Sequence, residues 1–537
     1  MDARDGDFAV ESVCTLPPGR PVEAVTSDGH VVSFWPRPEG RLRFAWDGHA
    51  AMQTFDGLVD RRDKSPLIVP SADGAHLAYV GIRDGQQFVG RDAGEDPPLE
   101  SISHSVPPTF SPDGRHLAYG GGTHEEFRLI LDGQRASEQP IAPIQAVFSP
   151  DGSRLAYVEL RPVDDRNHEV RVILDGTPGP WLAGMRNETG VLQFSPDGRR
   201  FAYREHDRDL KVRWVVDGAP QQWAADPITL RQAFKRVSAR VAAIEEPVLA
   251  AFSPDSRRFA YFADVPEKGV AIVEDEVPGP LFKAVGMPVF SPDSAHLAYV
   301  AETFAKQWIV VVDGAPGPAF PASSAGIPVF SIDGRHVAVT FGREAGNILR
   351  KRTFYGVVVD GRVEAEFEAG DVSLLPAFSP DGAQVAWWVR RGEVSDVMIN
   401  GSMHSDLAIA LSDPVYTPSG HLVYEAILVP DGPVQRDAVA TVLVDGRPGP
   451  TASLVMNRQS TVALFGRPPT RWATLSFAVS PDGDHVAWAG LFGDESRPVI
   501  DDRVGPAFDR VLDWAFDGSG IATWWAQRSD VVYKVTA

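Results

Sequence analysis

Seven histidines recur just after a turn signal: His30, His76, His116, His296, His336, His421 and His485. Imidazole binds divalent transition metals readily, so several such rings converging on one rim could hold an ion. Alternatively, each ring bonds within its own turn or its own group of strands. Three features favour the second role. The spacing follows an internal repeat, Arg or Gln replaces His in other copies, and no carboxylate accompanies the ring consistently. No metal or other cofactor is expected.

Other catalytic signatures fail one by one. There is no Gly-x-Ser-x-Gly nucleophile elbow and no phosphate-binding glycine loop. "THEEF" at Thr123 to Phe127 lacks the spacing of a zinc helix, and "DARDGD" near the start lacks the remaining ligands of a calcium loop. No catalytic residue is assigned. A cationic group stands out instead: Arg231, Lys235, Arg236 and Arg240, within "DPITLRQAFKRVSARVAAIEEP". Leu230, Phe234, Val237, Val241 and Ile244 recur at three- and four-residue spacing there, which predicts an amphipathic helix over about 228–245. Its basic face could dock an acidic partner or a second copy of the chain; an ordinary solvated face is the alternative.

What must position these groups is a repeat. "FSPDGRHLAY" begins at Phe110, and close copies place an aspartate at Asp28, Asp73, Asp113, Asp151, Asp197, Asp255, Asp293, Asp333, Asp381 and Asp482. Degenerate copies put Ser419 and Asp517 in the same role, making twelve with a period of about 40 residues, in the range of propeller blades. Proline and glycine suit a chain reversal, so the box reads as a turn between short β-branched runs. A second marker, Asp-Gly as in Asp132-Gly133 and Asp313-Gly314, is a hairpin signal. Two hairpins per unit predict a four-stranded antiparallel meander, which is a propeller blade.

"FSPDGSRLAYV", "FSPDGRRFAYR" and "FSPDSAHLAYV" resemble the WD-like repeats of TolB-type β-propellers, from about Thr26 to Thr523. The resemblance implies an all-β chain of about twelve four-stranded blades. Two tandem six-bladed propellers are expected, at 1–288 (with the helical insertion) and 289–537. A seven-plus-five division and a single large ring are the other arrangements. The last unit has only two clear strands, so the N-terminal "FAVESV" and "PVEAV" are expected to complete it.

A formal charge of −21 argues against broad binding to nucleic acid or to an anionic membrane, and no run approaches the roughly 18 apolar residues of a membrane span. Cys14 is the lone cysteine, so no disulfide forms within the chain. With no secretory leader at the start, the cytoplasm is the expected compartment. The aromatics that follow "LA", such as Tyr119, Tyr299 and Trp387, are expected to pack between blades. Trp181, Trp223, Trp472 and the Trp524-Trp525 pair are expected to pack in the core or at blade edges, with sugar stacking as the alternative. The function these features suggest is a non-catalytic scaffold that binds a protein or peptide. A small-molecule or carbohydrate sensor and a propeller-type lyase or glycan hydrolase are the alternatives.

Overall fold

The box completes its own reversal. In the third copy Gly114 N–H donates to the Ser111 carbonyl at 2.9 Å, with Gly114 at φ 71°. The buried Ser111 hydroxyl donates to Asp113 Oδ1 at 2.5 Å and accepts His116 N–H at 2.9 Å. Both polar ends of the serine are therefore satisfied out of water. At the second marker Asp132 and Gly133 both have positive φ, 49° and 72°, the type I′ geometry that matches the twist of the flanking strands.

In the computed structural model, residues 3–537 are described apart from 6–7, 17–23, 26–30, 37–41, 47–48, 51–53, 60–66, 73, 93, 124–126, 137–141, 164–167, 185–191, 207–211, 226–249, 266–267, 348–349, 370, 374, 392–393, 411, 429–438 and 456–476. The described residues form an all-β propeller fold of antiparallel blades, with no helix among them. The predicted helix and all four of its basic residues lie outside the described residues.

In chain order the blades span 24–50, 57–95, 101–135, 142–184, 192–225, 250–278, 284–320 and 324–368. The ninth and tenth share one nine-stranded sheet over 371–448, because Ser402–Ala410 pairs with both; the eleventh spans 454–504. The twelfth joins the two ends of the chain. Phe8–Thr15 pairs antiparallel with Val531–Thr536, and Ala3–Asp5 adds a further strand outside it. Of the two N-terminal runs expected there, "FAVESV" takes that place, whereas Ala24–Val25 belongs to the first blade. In the last box, Asp517 does not take the aspartate role. Asp517 N–H donates to the Ile521 carbonyl, and the Ser519 hydroxyl donates to Asp517, so the two residues have exchanged positions.

Apolar residues of the second and third strands fill the spaces between blades. Ala78 and Val80 of the second blade meet Leu117 and Tyr119 of the third; Trp388 of the ninth meets Leu422 and Tyr424 of the tenth. This packing runs through the expected 288/289 boundary without a break, since Phe262 and Ile272 share a cluster with Phe290, Leu297 and Tyr299. Leu16, Val31, Leu512 and Val532 join the twelfth blade to the first. Among the described residues no such cluster joins the sixth blade to the first or the seventh to the twelfth.

Candidate functional site

An antiparallel meander places its turns alternately at two ends. The box and Asp-Gly turns share one end, the turn face. The loops between second and third strands and the connections between blades share the other, the loop face.

On the turn face the box histidines do have a consistent carboxylate, which corrects the expectation from sequence. It is the aspartate that opens the turn between the third and fourth strands of the same blade. His116 Nδ1 lies 2.7 Å from Asp132 Oδ2, while Asp132 Oδ1 accepts Leu117 N–H at 2.9 Å. The same pair recurs as His76–Asp92, His296–Asp313, His336–Asp360, His421–Asp445 and His485–Asp501. His30 lies outside the described residues.

Arginine in the same slot keeps the aspartate and adds a grip on the next blade. Arg200 Nε donates to Asp217 Oδ2 at 2.9 Å, and its Nη1 donates to the Arg257 carbonyl at 2.7 Å. Its guanidinium also lies 5.3 Å from the centre of the Phe252 ring, a cation–π contact with the following box. Arg154 repeats the arrangement with Asp175, Arg199 and Phe194. Each imidazole thus belongs to its own turn lock, and among the described residues no group of three or more His, Cys, Asp or Glu side chains is placed to hold a metal ion.

The box aspartates are held as anions. The hydroxyls of Ser149 and Ser153, with the Ser153 N–H, bring Asp151 down to about 2. Asp113, Asp197, Asp255 and their counterparts are lowered in the same way, chiefly by the serine two positions earlier. Asp96 goes the other way, raised by burial despite a hydrogen bond from Tyr119 Oη at 2.9 Å.

The loop face is built differently. Buried acids there are matched by cations across the strand pair: Glu159 by Arg171 at 2.7 Å, Glu205 by Arg213 at 2.6 Å, and Asp396 by Arg391. Trp181 contacts two guanidinium groups, with Arg161 4.0 Å and Arg171 4.5 Å from the ring centre. Trp524 is buried, and Trp525 lies 5.8 Å from the Lys534 ammonium. The side chains of Trp223 and Trp472 lie outside the described residues.

The three longest insertions all leave from the half of the blade toward the loop face, but only 429–438 also returns there. The segments 226–249 and 456–476 rejoin part-way along a first strand, at Ala250 opposite Tyr261 and Phe477 opposite Trp488. The first, 226–249, leaves after Ala225, whose strand partner is Val212 at the far end of the fifth blade from its box. The second, 429–438, separates Leu428 from Val439, which pair with each other. The third, 456–476, leaves after Val455, paired with Gly490, and returns at Phe477, paired with Trp488. The sequence marked these segments as breaks in the repeat; where they leave and rejoin follows only from strand direction.

No protein-family model matches the chain, and no curated protein matches it. Among solved structures, it is similar to a crystal structure of a eukaryotic initiation factor at 12% identity, covering 67% of this chain and 91% of that one with a TM-score of 0.33. It is also similar to TolB from Acinetobacter baumannii at 14% identity, covering 64% and 78% with a TM-score of 0.19. At these scores neither likeness bears on what the chain does.

Proposed function

We propose that this chain is a non-catalytic scaffold of the WD-like, TolB-type repeat class, and that its loop face docks a protein or peptide partner of acidic character. The observation that carries the reading is the division of labour between the two ends of the blades. Turn-face side chains are committed to locks within and between blades, while the inserted segments leave from the opposite half of the blades. Loops on a rigid framework are where binding residues concentrate.

Charge supports the acidic partner. On a chain of net charge −21, the segment 226–249 carries Arg231, Lys235, Arg236 and Arg240 between Asp226 at one end and Glu245 and Glu246 at the other, so its middle is wholly cationic. The segment 456–476 carries Arg458, Arg467 and Arg471 and has no Asp or Glu. Cationic segments on an anionic body direct an acidic partner toward one end, speeding association and setting orientation.

Reversing Arg231, Lys235, Arg236 and Arg240 to Glu is expected to remove a co-purifying partner while leaving the melting temperature unchanged. Equal recovery of the same partner by the wild type and the quadruple variant would remove this segment from the binding surface.

A further inference from the structure

From the second to the twelfth blade, the residue that follows the "LA" of the box is Tyr or Trp in every case except the eighth, where it is Val339. In the third and seventh blades this aromatic spans the gap to the preceding blade and ends beside that blade's fourth strand, whereas Trp524 of the twelfth donates its indole N–H to the Trp488 carbonyl. Tyr119 Oη reaches Asp96 there. Tyr299 Oη lies 3.3 Å from where a Cβ on Gly279 would sit. Gly317 is the counterpart of Gly279 one blade on, in the same Pro-Gly-Pro run. Within 4 Å of a Cβ at Gly317 there is only the backbone of Val310, from its own blade.

The missing ring leaves a space. A cavity of about 390 Å³ lies between the seventh and eighth blades, lined by Val310, Val312, Pro316, Pro318 and Phe330, with His296 among its polar residues. Val339 belongs to the apolar cluster with Val310, Phe330 and Val337, and none of its atoms lies within 4 Å of a Cβ placed on Gly317. A dry apolar cavity of ~150 Å³ is enough to hold benzene, so one or two fused rings fit here. His296 Nδ1 is engaged by Asp313 Oδ2 at 2.7 Å, which leaves Nε2 for a polar substituent on the ring.

We propose that this cavity binds a single aromatic ring, of phenol or indole size, supplied from outside the chain. The ring takes the place that Tyr fills in the third and seventh blades. This site lies toward the turn face and is independent of partner docking on the loop face, so either can fail without the other.

Titration calorimetry on the full chain with p-cresol, indole and N-acetyltyrosinamide tests the proposal. Saturable binding with one site per chain is expected for the wild type. Val339→Tyr should abolish it and raise the melting temperature, because the variant carries its own ring into the space. Val339→Trp, copying the ninth and eleventh blades, is a second route to the same filling. Tighter binding of N-acetyltyrosinamide than of p-cresol would assign the ring to a partner's side chain, and the reverse order to a free small aromatic compound. No saturable binding of any probe to the wild type overturns the proposal, whether or not the variants fold. Undiminished binding by a folded Val339→Tyr does so as well.

Discussion

Ser291 shows how much one small side chain carries in this fold. It is buried, its hydroxyl donates to Asp293 at 2.5 Å, and it accepts His296 N–H at 2.9 Å. Ser291→Ala removes the acceptor and leaves the partly buried His296 N–H without it, so a loss of about 1 kcal/mol is expected in urea unfolding. The depressed box carboxylates also set a pH window. A carboxylate with a folded pKa below its unfolded value stabilises the fold above the unfolded pKa, and that contribution disappears as pH falls through the folded one. With an ordinary Asp value of about 3.9 and Asp151 at about 2, the urea midpoint should be insensitive to these groups above about pH 5 and should fall between about 4 and 2. A midpoint that stays level through that range would contradict the role given to the box. The slot residue offers another test: Arg200→His should keep the Asp217 contact but lose the Arg257 carbonyl, and so should cost less stability than Arg200→Ala.

At the scale of elements, the turns were the most legible part of the sequence because their chemistry is local. Ser-Pro-Asp-Gly and Asp-Gly each specify a reversal within a few residues, and the structure uses them that way. The pairing between the two markers was not legible, although both were visible. His116 and Asp132 are 16 residues apart and His336 and Asp360 are 24 apart, yet both pairs meet because strand register brings the turns together. A search at fixed spacing misses a contact set by register. The exchange of Asp517 and Ser519 was hidden for a similar reason, since either order supplies one hydroxyl donor and one carboxylate acceptor within the turn. The expectation that an N-terminal strand completes the last blade did emerge from counting strands. Phe8, on that strand, is buried and packs 5.8 Å from the Trp524 ring centre. Phe8→Ala is expected to cost about 3–5 kcal/mol, and deletion of 1–20 to lower the melting temperature further. An unchanged melting temperature after deletion would mean that the strand is not part of the closure.

For the whole molecule, the repeat period foretold the blades, whereas the packing between them could be read only from the structure. An apolar cluster joins each pair of consecutive blades, including the pair at the 288/289 boundary and the twelfth with the first. Expressed separately, 1–288 and 289–537 should each lack a cooperative unfolding transition, because each fragment exposes two apolar blade faces that are covered in the whole chain. Two fragments with independent, cooperative transitions would instead support two six-bladed units. The functional assignment rests on the contrast between a locked turn face and a loop face toward which the chain leaves the blades at each insertion.

The most direct measurement of that contrast is partner recovery from three equally folded proteins: the wild type, the Arg231, Lys235, Arg236 and Arg240 charge reversal, and a turn-face double variant, His116→Gln with His336→Gln. Recovery lost only in the charge reversal is the predicted result. Recovery lost only in the turn-face variant would contradict the assignment of docking to the loop face.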